Sequence, residues 1–208
     1  MESHASVPPP GQLTLSDEQQ SLLHRVTCQL LAAAANQQPI SIDRLPLGEL
    51  ADTPVVGVFV TLRKDGALRS CIGNFTPSIR LGNALDRAAT GAACHDPRFP
   101  PVRPDELEEL TVEISLLHSR ELLGDSPDAR LSSIEIGLHG LDIQHYGRTG
   151  LLLPSVAVDH GWDAFTFLCE VCRKAGLPVD TWKDPRATVY RFSATRWGGP
   201  FATDVRGV

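Results

Sequence analysis

The stretch Val55-Val56-Gly57-Val58-Phe59-Val60-Thr61-Leu62-Arg63-Lys64-Asp65-Gly66-Ala67-Leu68-Arg69-Ser70-Cys71-Ile72 decides the fold class. Its first half is β-branched and apolar, as a strand requires, and Lys64-Asp65-Gly66 reads as a three-residue turn with glycine where φ must be positive. The spacing predicts a hairpin in which Arg63 faces Ala67, Thr61 faces Arg69 and Phe59 faces Cys71. In that register Val56, Val58, Val60, Leu62, Leu68 and Ile72 form the apolar face, and Cys71 shares the other face with Arg69, Thr61, Phe59 and Gly57.

Downstream, Thr76-Pro77 reads as a helix cap with proline at the first helical position. Leu81, Leu85, Ala88, Ala89 and Ala92 then mark the buried stripe of a helix that reaches about Cys94, where His95-Asp96-Pro97 stops it. After a proline-rich crossing, Val112, Ile114 and Leu116 alternate with Thr111, Glu113 and Ser115, the period of a half-buried strand. Upstream, Ser16 followed by Asp17, Glu18 and Gln19 forms a capping box for a helix ending near Ala35. The segment 36–54 is a surface connection with a short helical turn.

The second half repeats the order. Leu138 to His145 and Gly150 to Leu153 flank the turn Tyr146-Gly147-Arg148-Thr149. A helix follows with Trp162, Phe165, Leu168, Cys169 and Cys172 on one face and Lys174, Gly176 and Pro178 at its end, and a strand covers Ala187 to Ala194. The predicted class is therefore α+β, a mixed or antiparallel sheet flanked by helices in which two ββαβ units share one sheet. Residues 1–14 read as an N-terminal tail, 15–197 as the domain and 198–208 as a C-terminal tail.

The chain has 208 residues, 42% hydrophobic and 21% charged, which is a globular composition. Its formal charge of -6 leaves no basic field for phosphates or anionic lipids, so nucleic acid and membrane surface are excluded as partners. Five cysteines make an odd count in a chain that needs no staple, which points to reduced thiols and a cytoplasmic location. The start, with three prolines at 8–10 and no basic residue before them, does not read as an export signal.

Cys71 lies off the apolar face with Arg69 two residues away, and a neighbouring guanidinium raises the thiolate fraction of a cysteine. The competing reading makes Cys71 a small buried hydrophobe. Beyond it, Gly73-Asn74-Phe75 leads to the helix expected at Pro77, whose first N–H groups would take an anion unless Thr76 occupies them. His95, Asp96 and Arg98 leave the preceding helix together. There an acid, a base and a guanidinium could converge, or Asp96 could simply pair with Arg98. His139, between Gly137 and Gly140, sits where backbone approaches a ligand closely. The candidate catalytic residues are Cys71, Arg69 and His95, and the candidate substrate-binding residues are Asn74, Arg98 and His139. The ligand expected there is a small anion rather than a metal or a nucleotide, since no cluster has metal-ligand spacing and no phosphate loop occurs. Nothing in the sequence names a cofactor.

These residues resemble the AMMECR domain family, component A of the AmmeMemoRadiSam system of bacteria and archaea. The likeness rests on Leu68-Arg69-Ser70-Cys71-Ile72-Gly73, Asp96-Pro97-Arg98-Phe99-Pro100-Pro101, Gly137-Leu138-His139-Gly140-Leu141, Gly150-Leu151-Leu152-Leu153-Pro154 with Gly161-Trp162-Asp163, and Lys174-Ala175-Gly176-Leu177-Pro178. It covers roughly Leu15 to Trp197. The family usually has glycine where Ser70 stands. The resemblance implies two lobes with a cleft, and a setting beside a Memo-like protein and a radical-SAM protein, but supplies no reaction. The expectation is a cysteine-dependent small-molecule enzyme, or a component of one, running acyl-like or redox-coupled group transfer. In it Cys71 is the thiolate, Arg69 keeps it ionised or binds an acidic substrate, and His95 or His139 moves a proton. The rival is a non-catalytic module that grips a partner such as the Memo-like protein.

Overall fold

The first helix begins as its capping box dictates. Gln19 N–H donates to Ser16 Oγ at 3.2 Å and Ser16 N–H to Gln19 Oε1 at 2.9 Å, so α1 runs Asp17–Ala35 with Ser16 as its N-cap. The computed structural model describes residues 13–203, so the expected N-terminal tail lies almost wholly outside the described residues, as do the last five. Two short 3₁₀ turns, Ile42–Arg44 and Gly48–Asp52, fill the connection to β1, Pro54–Lys64.

The hairpin forms, with a turn one residue shorter than the spacing suggested. Asp65 and Gly66 have φ of 51° and 78°, the two positive values of a type I′ turn, so Lys64 pairs with Ala67. The register then shifts between Leu62 and Arg63. Leu62 pairs with Ser70 and Arg63 with Leu68, which leaves Arg69 as the extra residue of a bulge. Thr61 therefore faces Cys71 and Val60 faces Ile72, not the partners expected. Val58, Val60 and Leu62 are buried as predicted, whereas Leu68 is 39% exposed and Ser70 takes the place on the core side that was given to it.

The strand β2 also runs longer than predicted, Ala67–Arg80, and Thr76-Pro77 caps no helix. Val55 pairs with Ile79 and Gly57 with Phe75, so the intervening residues form a second irregularity in which Ser78 has φ 66°. Helix α2 starts only at Leu81 and ends at Cys94, where His95 closes it. Its N-cap, Arg80, makes no side-chain cap bond. The Thr-Pro pair had a second structural use, as a bulge.

The remaining elements are β3 (Leu110–Leu122), α3 (Pro127–Ser132), β4 (His139–His145), β5 (Arg148–Leu152), α4 (Pro154–His160), α5 (Ala164–Lys174) and β6 (Thr188–Pro200). The single helix expected around Trp162 is two helices, because Gly161 at φ 65° ends α4 and Asp163 caps α5 through Thr166 N–H. The short α3 was not anticipated. The class is α+β, and the strands follow the order β2-β1-β3-β6-β4-β5, with β1–β2, β4–β5 and β4–β6 antiparallel.

The chain divides into two compact units, with a boundary inside β3 after Leu116 and another inside β6 before Thr195. In the first, α1 and α2 bury Leu23, Leu30, Leu31, Leu85 and Ala88 against Val58, Val60 and Leu62 of β1 and against Val112 and Ile114 of β3. Strand β6 outlasts the expected domain end, and Phe201 after it is buried with its N–H on Leu110 O. In the second, α5 buries Phe167, Leu168, Val171 and Cys172 against Leu141 and Ile143 of β4 and Val189 of β6. In each unit the first strand of a hairpin is central, with its partner on one side and a later strand on the other.

Candidate functional site

Asp96 organises the surroundings of Cys71, all within the first unit. Its side chain is 2% exposed. Oδ2 accepts Ser70 Oγ–H at 3.1 Å, the Cys71 main-chain N–H at 3.0 Å and Arg98 Nη2 at 2.7 Å, while Oδ1 accepts Arg98 N–H at 3.1 Å and Arg98 Nε at 2.9 Å. The Arg98 guanidinium, against the opposing pull of burial and with help from the two main-chain N–H groups and Ser70, holds this carboxyl well below the usual carboxylate range. Arg98 also donates through Nη2 to Cys71 O at 3.0 Å. Both main-chain polar groups of Cys71 are thus held by the loop that follows α2.

The thiol itself is half-buried, and Thr61 Oγ1–H donates to its Sγ at 3.3 Å. This contact exists because the two-residue turn and the bulge at Arg69 together set Thr61 opposite Cys71. Arg69, the residue expected to attend the thiol, turns elsewhere: Nε and Nη2 bind the two oxygens of Glu106 at 3.2 and 2.6 Å, and Nη2 reaches Pro101 O at 3.3 Å. Burial opposes the charge on Glu106, but Arg69 and the Arg103 N–H outweigh it and keep its pKa below the ordinary value. Arg69 Nη1 is buried with no partner among the described residues.

Asn74 donates through Nδ2 to Ala84 O at 2.7 Å, which ties β2 to α2, and its Oδ1 is buried without a partner among the described residues. No helix N-terminus follows it directly, since α2 begins seven residues later. His95 is exposed and lines a pocket of about 220 Å³ with Asp86, Thr90 and Cys94, beside apolar residues of α1. Among the described residues its ring bonds to nothing, Cys71 included. His139 belongs to the second unit, where Nδ1 accepts Glu135 N–H at 3.0 Å, and burial first, then the Arg191 charge, lowers its pKa.

The structure therefore brings Cys71 and Arg98 together, places Arg69 and Asn74 on the same strand with other partners, and sets His95 and His139 in other surroundings. Sequence reasoning offered Asp96 as a converging acid or as the partner of Arg98, and the structure shows the pairing, but it did not choose Thr61 or Glu106 as site residues. An Asx-type pattern was present in Asp96-Pro97-Arg98, whereas Asp65-Gly66 read as a two-residue turn would have brought Thr61 only opposite Ser70, the last step to Cys71 being made by the bulge at Arg69. Among the described residues no group of three His, Cys, Asp or Glu side chains could hold a metal, and no helix is long and apolar enough to cross a membrane. All five cysteines are free thiols.

The geometry is a clamped cysteine flanked by a hydroxyl donor and by a guanidinium bound to a buried carboxylate. Comparison with known proteins places the chain, though not the individual site residues, in a wider set. A protein of Methanothermobacter thermautotrophicus is 52% identical over 139 residues, 66% of this chain and 72% of that one. Protein TK0174 of Thermococcus kodakarensis is 49% identical over 153 residues, 69% and 75% of the two chains. The crystal structure of uncharacterized protein PH0010 from Pyrococcus horikoshii is 39% identical and superposes with a TM-score of 0.81, covering 89% of this chain and 95% of that one. The AMMECR1 family model matches residues 18–197, a span that contains Cys71 with every partner described for it, and the chain belongs to the AMMECR1 family.

Proposed function

We propose that Cys71 is the reactive thiol of a small-molecule enzyme, or of an enzyme component, acting on an acidic substrate within the AmmeMemoRadiSam system. The observation that carries this reading is the frame around Cys71. Its N–H is held by Asp96, its carbonyl by Arg98 and its sulfur by the Thr61 hydroxyl, and the residue is only half-buried. A hydroxyl donating to sulfur favours the thiolate, and a fixed main chain orients it. Arg98, not Arg69, is the cation bonded to Cys71, through its main-chain carbonyl. Its side chain is 50% exposed and its Nη1 has no partner among the described residues, which suits it to a substrate carboxylate or phosphate.

Acyl transfer is the reaction class this frame fits best. The sulfur bonds to the acyl carbon, the leaving group departs with the bonding pair, and the thiol proton passes to solvent because no imidazole of the described residues bonds to the thiol. The simplest test is p-nitrophenyl acetate. A burst of one p-nitrophenol per chain, with acetate on Cys71 by peptide mapping and lost in Cys71→Ala, is expected. Acetylation of Cys94 or Cys169 ahead of Cys71 would sink the reading.

A second reading has its own support. Arg69 and Arg98 already carry Glu106 and Asp96, so much of the positive charge expected for an anion is neutralised. A partner-binding module that engages a Memo-like protein fits that neutral surface. Binding of such a protein with equal affinity to the parent chain and to Cys71→Ala, with no burst in either, would favour it.

A further inference from the structure

A second set of groups lies in the other unit, away from Cys71 in sequence and unused by the reading above. The β4–β5 turn is Tyr146-Gly147, with φ of 45° and 76°. A type I′ turn wants asparagine or glycine first, and a bulky aromatic with positive φ is a conformational outlier. Tyr146 gains no burial in exchange, being 75% exposed. It stands over an open groove of about 670 Å³, within the range of small-ligand sites, whose walls include Arg148, Leu177, Pro178 and Lys183.

The charges around that groove are unequal. Lys183 forms no ion pair among the described residues, and its ammonium lies 5.3 Å from the Trp182 ring centre and 5.6 Å from that of Phe165. Arg148 spends Nη1 on the Gly176 carbonyl and has no carboxylate partner among the described residues. Asp184 is neutralised by Arg186 through both oxygens, with His145 at 3.8 Å, and Arg186 Nη1 also donates to Tyr146 Oη at 2.9 Å. Behind the wall, Arg130 is 1% exposed and bound only to the carbonyls of Gly124, Trp182, Asp184 and Ala187. It fixes the segment that carries Lys183, and its charge has no carboxylate bonded to it. Among the described residues, Asp180 is the one carboxylate lining the groove that has no cationic partner. In a chain of charge -6 this local excess of cations is selective for an anion.

We propose that this groove binds a small ligand in which a flat ring is joined to an anionic group, as in a mononucleotide or an aromatic acid. The ring stacks on Tyr146 between Leu177 and Pro178, and the anion meets Lys183 and Arg148. The Tyr146 ring already meets the His145 ring at 4.3 Å and the Arg186 guanidinium at 5.7 Å, and the ligand ring takes the part of it that stays exposed.

The test is titration of the whole chain with AMP, adenosine, inorganic phosphate and benzoate, followed by amide NMR. The expected result is saturable shifts at 145–148 and 177–184 with AMP or benzoate, at least tenfold tighter than with adenosine or phosphate. The stronger of the two names the source of the ligand. Tyr146→Gly should weaken that binding at least fivefold while the melting temperature stays level or rises, since glycine relaxes the turn. Lys183→Gln should weaken it similarly. Shifts that never saturate, shifts centred elsewhere, phosphate alone binding as tightly, or full affinity in Tyr146→Gly would each overturn the proposal.

Discussion

The Asp96 carboxylate accepts the main-chain N–H of Cys71 at 3.0 Å. Twenty-five residues separate the two, so the loop leaving α2 holds the strand at the residue that carries the thiol. The same carboxylate is saturated by Ser70 and Arg98, which makes it the joint between hairpin, helix end and loop.

Replacing that carboxylate should loosen the joint. Asp96→Asn keeps the shape but puts an NH₂ against N–H donors, with an expected loss of about 2 kcal/mol in urea unfolding. The pH dependence has a definite sign. The folded pKa lies below the unfolded value of about 3.9, so the stabilisation is complete above about pH 5 and is lost as pH falls towards the folded pKa. The gap between parent and variant should stay constant from pH 8 to 5 and narrow below about pH 4. A gap that widens in acid would contradict the assignment.

Two glycines of the hairpin separate steric from conformational need. A Cβ on Gly57 would sit 2.2 Å from the Asn74 carbonyl oxygen, a backbone atom that cannot swing away. One on Gly66 would meet nothing within 4 Å, but its φ is +78°. Gly57→Ala should therefore cost about 2 to 3 kcal/mol and Gly66→Ala about 1 kcal/mol, read from urea midpoints. Equal costs would mean that the strands are not packed as closely as described.

The hairpins, α1, α2, α5 and the period of β3 were legible because each is written in local spacing. What failed was register. Lys64-Asp65-Gly66 can be counted as a turn of three residues or of two, and the shorter turn plus a one-residue bulge at Arg69 that nothing local announces move Thr61 from Arg69 to Cys71. Thr76-Pro77 misled for a similar reason, since proline after threonine suits both a helix start and a strand irregularity. The role of Asp96 could not be read from periodicity at all. It depends on burial by three segments distant in sequence, and a carboxylate looks the same in a sequence whether it caps, pairs or braces.

Cys172 offers an alkaline counterpart to Asp96. Burial, the largest cause, pushes its thiol from 9.0 up to about 11. The unfolded chain therefore releases this proton first as pH rises, and stability should fall between about pH 9 and 11. Cys172→Ala should flatten that part of the stability curve while costing about 1 to 2 kcal/mol at pH 7 from the lost side chain in the core. An unchanged alkaline slope would assign the loss to other groups.

The hydroxyl at Thr61 should matter to the thiol and not to the fold. Thr61→Val keeps the branched shape of a strand residue and removes the donor to Cys71 Sγ. Alkylation of Cys71 at pH 7 should slow about threefold to tenfold, with the urea midpoint nearly unchanged. An unaltered rate would mean that the hydroxyl does not support the thiolate.

The central claim is that the fold activates Cys71, and one rate comparison tests it most directly. Iodoacetamide labelling of Cys71 at pH 7, resolved by peptide mass spectrometry, is measured in the native protein and in the same chain unfolded in urea. Half-burial alone slows a thiol, so activation is visible only as a native rate above the unfolded one. The account predicts that Cys71 reacts faster when folded, while Cys28 and Cys172 are protected. A folded rate below the unfolded rate would contradict it and leave Cys71 as packing.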